Sequence, residues 1–325
     1  MYTKNNEFIN IVMGADDNYA MPLAVTIYSI LENANQDSNL RFYILDGGMS
    51  IVSKEKLIRL IKKDGQSGHQ LHWIEPEKSS IEQIPYRGWQ SKSTYLRFLI
   101  SKTLPKSVNK VIYLDCDLIL ENDISELWDY NLSDIIVRAV RDFIIQTVSH
   151  PTGVINYEEY GGNVNSPYFN AGVLLINLDF WRDEKISKKA IHYLEKNKES
   201  FKLNDQEALN AVLIGRWKEL NPLWNQQGGI FWPQVLPETI FTEKLMTRYN
   251  NLRNNPFIIH FLSENKPWNF KCMHPFTARF IFYLEKSCWF TNFEWKKWWY
   301  RYYFNRMKWL MGDLKDTLNM VKKAG

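Results

Sequence analysis

Cysteine is scarce in this chain, and its three cysteines are scattered: Cys116, Cys272 and Cys288. Three thiols so far apart neither build a disulfide framework nor show the paired spacing of a structural zinc site. The lack of a disulfide framework favours a reducing, cytoplasmic compartment. An export signal is not expected either, because the first 25 residues carry Asp16, Asp17 and several asparagines instead of a basic flank and an apolar core.

Long apolar runs and glycine-rich loops are also missing. No charge-free stretch reaches the ~20 residues that a membrane-spanning helix needs. Gly14 stands alone after the first predicted strand, without the further glycines of a phosphate-binding loop. Hydrophobic residues make up 45% and charged residues 23% of the 325 residues, which excludes a disordered or fibrous protein.

Strand-like and helix-like segments alternate through the first 120 residues. The β-branched runs predict strands at 9–14, 40–45, 71–74 and 111–114, and helix-like patterns lie at 22–31, around Leu57, Leu60 and Ile61, and at 95–100. This alternation predicts an α/β fold with a mostly parallel central sheet flanked by helices.

Acidic and amide side chains follow the predicted strands, where open α/β sheets bind their ligands. They are Asp16, Asp17 and Asn18 after the first strand, Asp115 and Asp117 after 111–114, and Asp142 after a strand at 135–140. Asp115 and Asp117 are two residues apart in an extended segment, so both carboxylates face one side. Such oxygen ligands suit Mg²⁺ or Mn²⁺ together with a diphosphate, although two solvated aspartates at a strand end are the simpler alternative.

Five motifs in order give this acidic pair a context. They are Asp16-Asp17-Asn18-Tyr19, Asp115-Cys116-Asp117, Tyr168-Phe169-Asn170-Ala171-Gly172-Val173, Asn204-Asp205-Gln206, and His260 followed by Lys266-Pro267-Trp268. Over residues 9–268 the chain resembles glycosyltransferase family 8, in particular bacterial enzymes that add galactose or glucose to lipooligosaccharide and other surface glycans. The resemblance implies a GT-A-type nucleotide-sugar-binding fold and a metal-dependent, retaining transfer of a hexose from a UDP-sugar to a glycan or glycolipid acceptor.

The resemblance also implies which residues form the site. Mn²⁺, or Mg²⁺, would be bound by Asp115, Asp117 and His260. The UDP part of the donor would be bound by Asp16, Asn18, Tyr19, Arg97 and Lys266. The hexose would be bound by Asp142, Asn170, Asp205 and Gln206.

The catalytic set implied by the resemblance is Asp205, Gln206 and Lys266. Either Asp205 or Gln206 would be the nucleophile of a covalent mechanism, or the acceptor would attack from the front face with the leaving phosphate as base. An amide is a poor nucleophile, so we favour front-face displacement. Family members usually carry a glycine three residues after the histidine, where this chain has Ser263.

Simpler structural interpretations exist for several of these residues. His260 could be a satisfied strand-end histidine, residues 16–19 an Asx turn, Arg97 a helix-surface arginine and Cys116 a small buried filler. Two other functions stay open at this stage: a haloacid-dehalogenase-like phosphatase, which also places Asp-x-Asp after a strand, and a nucleotide-sugar-binding protein without turnover. Neither the choice between galactose and glucose nor the acceptor is fixed by the sequence. Residues 143–167 are predicted to form a lid or an acceptor loop.

The last 40 residues differ in composition from the rest. Residues 286–325 contain nine Lys/Arg and three Asp/Glu, a local charge of +6 that leaves −2 of the net +4 to the rest of the chain, and 11 of the 48 aromatic residues. We therefore divide the chain into a catalytic domain at 1–285 and a basic aromatic C-terminal helical tail at 286–325.

Three interpretations of the tail are considered. The favoured one is association with an anionic membrane at the inner face of the cytoplasmic membrane, with the cations Lys296, Lys297, Arg301, Arg306 and Lys308 toward the headgroups. Such a tail would be dispensable for the nucleotide-sugar chemistry of the catalytic domain. The second is a helix that docks aromatic residues on the catalytic domain. Trp295, Trp299, Tyr302 and Leu310 fall near one helical face, which is compatible with either interpretation. The third, nucleic-acid binding, is least favoured, and we expect no nucleic-acid partner.

Overall fold

The computed structural model describes residues 7–63, 68–77, 79–88, 91–231, 250–262, 264 and 266–324. The strands in these residues are β1 (Phe8–Ala15), β2 (Asn39–Asp46), β3 (Gln70–Ile74), β4 (Lys110–Leu114), β5 (Leu118–Leu120), β6 (Val137–Arg141), β7 (Phe169–Asn177), β8 (Trp217–Glu219), β9 (Gln226–Gln227) and β10 (Ile258–His260).

The α-helices of the same residues alternate with the strands in the N-terminal half and dominate the C-terminus. They are α1 (Ala20–Asn33), α2 (Ile51–Lys63), α3 (Ser79–Glu82), α4 (Ile100–Thr103), α5 (Ser125–Trp128), α6 (Leu178–Asp183), α7 (Ile186–Lys196), α8 (Asn204–Val212), α9 (Thr277–Lys286) and α10 (Asn292–Ala324). The helix expected at 95–100 is a 3₁₀ helix over Lys92–Leu99 that continues into α4.

A seven-stranded sheet in the order β3-β2-β1-β4-β7-β6-β8 forms the centre of the molecule. Its strands run parallel except β7, which is antiparallel to both β4 and β6. β1 is buried along most of its length, with Ile9, Ile11, Val12 and Met13 at most 5% exposed. Burial of successive residues means that both faces of the sheet are covered, as expected for a largely parallel sheet. The predicted α/β architecture is therefore confirmed.

A second, three-stranded sheet brings distant parts of the chain together in the order β5-β10-β9. β10 pairs antiparallel with β5, so that His260 lies opposite Leu118, and the Phe261 amide donates to the Asp117 carbonyl at 2.9 Å. This pairing sets His260 beside the Asp-x-Asp segment at the end of β4. Cys116, within that segment, is buried and is the small filler that its sequence context suggested.

One face of the C-terminal helix α10 packs against the catalytic domain. Trp289, just before the helix, and Tyr302 are buried, and Trp295 and Trp298 pack on the core that also contains α1 and α9. The docking considered in the second interpretation of the tail is therefore present, and Trp295 and Tyr302 belong to the docked side. Trp299 and Leu310 are 46% and 37% exposed and do not share the buried side.

Arg306 was expected to face outward with the other cations of the tail, and this expectation is wrong. Its guanidinium donates to two backbone carbonyls of the body. Lys296, Lys297, Arg301 and Lys308 are exposed. Within the described part of the chain, no helix is both long enough and apolar enough to span a bilayer.

Candidate active site

A cavity of about 510 Å³ opens at the carboxyl ends of β1 and β4. Most of the residues that the sequence singles out line it, namely Asp16, Tyr19, Arg97, Asp115, Asp117, Asp142, Asn170, Asp205, Gln206, His260 and Lys266. Asn18 is exposed and is not among the lining residues. Ser263 lies outside the described residues. Side chains from five separate motifs thus converge on one space.

Asp115, Asp117 and His260 form a compact carboxylate–histidine cluster on one wall. One ligand atom from each lies within 4.8 Å of the others. His260 Nε2 is 3.2 Å from Asp117 Oδ1 and 3.8 Å from Asp115 Oδ2. Two carboxylates and one imidazole are a donor set that Mn²⁺ or Mg²⁺ accepts, so these residues fit a divalent metal ion.

Lys266 supplies a positive charge to the same cluster. Its ammonium group forms an ion pair with Asp117 Oδ2 and donates to the Phe261 carbonyl at 2.6 Å. Burial alone would raise the pKa of Asp117, but the charges of Lys266 and His260 outweigh it and hold that pKa well below the ordinary value. Asp117 is therefore an anion at any physiological pH.

His260 is oriented by a residue that the sequence analysis did not identify. Its Nδ1 lies 3.0 Å from the side-chain oxygen of Asn225, whose amide nitrogen donates to Asn170 Oδ1 at 2.9 Å. A partner on Nδ1 leaves Nε2 directed at the carboxylates, which is the arrangement that orients metal-binding histidines. Asn225 belongs to no sequence motif, and only the packing of the short 3₁₀ helix Pro222–Asn225 against β10 brings it here.

Arg97 links the cluster to the opposite wall of the cavity. It is 4% exposed, so the interpretation as a helix-surface arginine is wrong. Its Nη2 lies 2.7 Å from Asp115 Oδ1 and its Nε 2.9 Å from Asp205 Oδ2. A buried guanidinium between two carboxylates fixes the spacing of both, because the guanidinium left alone would be an uncompensated buried charge.

Asp142 lines the cavity and is held in place by four hydrogen bonds. Its Oδ2 accepts from Asn170 Nδ2 and Gln206 Nε2, each at 3.2 Å. Its Oδ1 accepts from the amides of Ile144 and Ile145 at 3.0 and 2.9 Å. These convergent carboxylate and amide groups form a rigid polar wall of the kind that recognises sugar hydroxyls.

The wall around Asp16 and Tyr19 has a different character. Asp16 accepts hydrogen bonds from the hydroxyls of Ser91 and Ser93 at 2.8 and 3.1 Å, and from the Asn18 amide at 3.0 Å. The Asn18 contact is the Asx turn expected as the structural alternative, and it coexists with a place for Asp16 in the cavity wall. The Tyr19 ring meets Trp268 edge-on, with 5.7 Å between ring centroids. Together they present an aromatic surface beside the charged cluster.

Gly172 is required by the close approach of β7 to the cluster. A Cβ at this position would collide with the His260 ring and lie 2.9 Å from Asp115 Oδ2. We expect Gly172→Ala to displace His260 and to weaken Mn²⁺ binding at least tenfold, with a loss of stability of about 1–3 kcal/mol. Calorimetric Mn²⁺ titration and thermal unfolding measure both. Gly312→Ala is the matched control, because a Cβ at Gly312 meets nothing within 4 Å; equal Mn²⁺ affinity in the two variants would contradict this role.

The chain is similar to several known proteins in sequence and in fold. A model of the glycosyl transferase family 8 matches residues 10–272. General stress protein A of Bacillus subtilis is 32% identical over 291 residues, 89% of this chain and 97% of that protein. The lipopolysaccharide 1,2-glucosyltransferase of Escherichia coli is 26% identical over 87% of this chain and 80% of its own length. The crystal structure of galactosyltransferase LgtC in complex with donor and acceptor sugar analogs has a TM-score of 0.73 and 26% identity, covering 89% of this chain and 100% of that chain.

Proposed function

Because this chain belongs to glycosyl transferase family 8 and is therefore a hexosyltransferase, we propose that it moves galactose or glucose from a UDP-sugar to a cell-surface glycan or glycolipid. The observation that carries the proposal is the convergence of the carboxylate–histidine cluster and the Asp142 wall in one cavity. A haloacid-dehalogenase-like phosphatase is set aside, since the family match spans residues 10–272.

The proposed reaction depends on a divalent metal ion, Mn²⁺ or Mg²⁺, held by Asp115, Asp117 and His260. When bound, such an ion neutralises the diphosphate oxygens of the donor and so stabilises UDP as a leaving group. Lys266 adds a fixed ammonium group on the same side of the cavity. Arg97 holds Asp115 in place, and Tyr19 with Trp268 offers an aromatic face for the uracil ring.

Retention of configuration is proposed to occur by front-face displacement. A covalent mechanism would need an available oxygen on Asp205 or Gln206. Asp205 accepts from Thr94 Oγ1 at 2.5 Å through Oδ1 and pairs with Arg97 through Oδ2. The Gln206 oxygen accepts from the Ala171 amide at 3.0 Å. These bonds support a positioning role for both residues, with the acceptor hydroxyl attacking from the side that the phosphate leaves.

The acceptor is proposed to enter past residues 143–167. Phe143, Ile144 and Thr152 from this segment line the cavity, and Ile144 is 50% exposed. Lipopolysaccharide glycosyltransferases among the relatives support a glycan or glycolipid acceptor. A thermal-shift screen of UDP-sugars with Mn²⁺ tests the donor: we expect UDP-galactose or UDP-glucose to raise the melting temperature, and only with metal present. No shift with any UDP-hexose would contradict the proposal.

We also propose that the outer face of α10 associates with an anionic membrane, such as the inner face of the cytoplasmic membrane. Opposite the docked face, an apolar stripe is exposed, formed by Phe293, Tyr300, Phe304, Met307 and Met311. The exposed cations Lys296, Lys297, Arg301 and Lys308 flank this stripe. An apolar stripe between cations is the pattern of a helix that lies in a membrane interface.

Sedimentation with phosphatidylserine vesicles tests the membrane proposal. Each headgroup-facing cation contributes about 1 kcal/mol at low salt, so we expect salt-sensitive binding of the full chain. Phe293→Ser, Tyr300→Ser and Phe304→Ser combined should lower the partition coefficient at least tenfold, because the apolar contact is lost. Ile51→Ser removes an apolar side chain that is 76% exposed on α2 and serves as the control. Equal sedimentation of the triple variant and the control would contradict the proposal.

A further inference from the structure

The C-terminal helix α10 contacts the segment that carries Lys266. Tyr302 is 5% exposed, and its hydroxyl donates to the carbonyl of Pro267, the residue next to Lys266, at 3.0 Å. Burial raises the pKa of Tyr302 to about 12, so its hydroxyl keeps the proton that it donates. A tyrosine of the tail therefore binds the backbone beside a proposed catalytic residue.

Arg306, one helical turn further on, binds the other end of the same segment. Its Nη1 donates to the carbonyls of Phe270 and Cys272 at 3.0 and 2.7 Å. Hydrogen bonds from a charged guanidinium are stronger than neutral ones and require a defined position of the acceptor. Tyr302 and Arg306 together hold both ends of the 266–272 loop, which lies between β10 and α9.

The 266–272 loop carries two side chains into the cavity region. At its start, Lys266 pairs with Asp117 of the carboxylate–histidine cluster. Two residues later, Trp268 meets the Tyr19 ring. A shift of the loop backbone would move the ammonium group and the aromatic edge at the same time, and displacements of about 1 Å at reacting groups cost up to about 10² in rate.

We propose that Tyr302 and Arg306 are positioning residues of the transfer reaction, which fix the 266–272 loop so that Lys266 stays beside the leaving diphosphate. The inference rests on the proposed role of Lys266 as a leaving-group stabiliser. It replaces the expectation that the tail is dispensable for the chemistry: the docked turns of α10 belong to the catalytic unit, and the outer face is available for another partner.

A double-mutant cycle tests this coupling on the full chain. Tyr302→Phe removes only the hydroxyl, and we expect it to lower kcat for metal-dependent UDP-sugar turnover about tenfold with little change in KM. In a Lys266→Ala background the same change should cost less than about twofold, because the group that Tyr302 positions is gone. Arg306→Met should behave in the same way, as it keeps the aliphatic stem and loses both donors.

The control is Tyr283→Phe, which deletes the hydroxyl of another buried tyrosine, bonded to Asn33 at 3.0 Å and away from the loop. Melting temperatures of the two variants should fall by similar amounts, whereas hydrogen exchange of peptides covering 266–272 should accelerate only in Tyr302→Phe. A Tyr302→Phe effect on kcat that is equal with and without Lys266, or no larger than that of Tyr283→Phe, would overturn the inference. A wild-type rate in Lys266→Ala alone would instead contradict the proposed role of Lys266.

Discussion

Asp117→Asn is expected to abolish metal-dependent transfer while the chain stays folded. The substitution keeps the shape of the side chain but removes the negative charge on which three contacts converge: His260, Lys266 and the proposed metal ion. A neutral amide also presents a donor to Lys266 where the ammonium group needs an acceptor. Loss of charge at a metal ligand removes affinity for a hard cation, so the rate should fall to background at all Mn²⁺ concentrations.

Initial rates measured across an Mn²⁺ titration, together with circular dichroism, test this prediction. Asp179→Asn is a suitable control, because Asp179 is a surface carboxylate paired with Arg182 on α6. The control should keep the wild-type rate and metal dependence. Near-wild-type turnover of Asp117→Asn at any Mn²⁺ concentration would contradict the assignment of Asp117 as a metal ligand.

Lys266→Ala is expected to lower turnover by about 10²–10³, or ~3–4 kcal/mol, the size of one lost preorganised charge-stabilising donor. Binding of the UDP-sugar should weaken less, because the ammonium group acts mainly on charge that develops as the diphosphate leaves. Mn²⁺ affinity should not fall, since Lys266 competes with a metal ion for Asp117.

Steady-state kinetics and calorimetry separate these effects. Lys188→Ala on α7 removes an exposed lysine with no contact to the cavity and should leave kcat, KM and Mn²⁺ affinity unchanged. If the loss of UDP-sugar affinity accounted for the whole drop in kcat/KM of Lys266→Ala, Lys266 would only bind the donor in the ground state. It would not stabilise the leaving group in the transition state.

The sequence predicted the strands of the sheet and the polar residues at their ends, because both follow from the pattern of apolar and polar residues within short segments. Short, β-branched apolar runs such as 9–14 and 111–114 favour buried strands, and in an open α/β sheet the polar residues directly after them collect at the ligand-binding edge. This is why Asp16, Asp115 and Asp117 were found by position as well as by family resemblance. The antiparallel direction of β7 was not foreseen, since nothing in 169–177 encodes the direction of its neighbours.

The sequence did not predict contacts between segments that are far apart in the chain. Asn225 reaches His260 through a buried hydrogen bond that no spacing rule encodes. The tail was recognised by composition, but composition does not tell which face of a helix is docked. Aromatic residues occur all around α10, so the sequence pattern did not show that Trp299 is exposed. Arg306 was expected on the outer side but binds the backbone of Phe270 and Cys272.

Metal-dependent hexosyl transfer is measured by release of UDP from UDP-galactose and UDP-glucose by the full chain, with Mn²⁺ and after chelation with EDTA. We predict UDP release with at least one of the two donors in Mn²⁺, none in EDTA, and recovery when Mn²⁺ is restored. Binding without turnover would indicate a nucleotide-sugar-binding protein. UDP release that is equal with Mn²⁺ and EDTA, or absent with both donors, would contradict a metal-dependent hexosyl transfer centred on Asp115, Asp117 and His260.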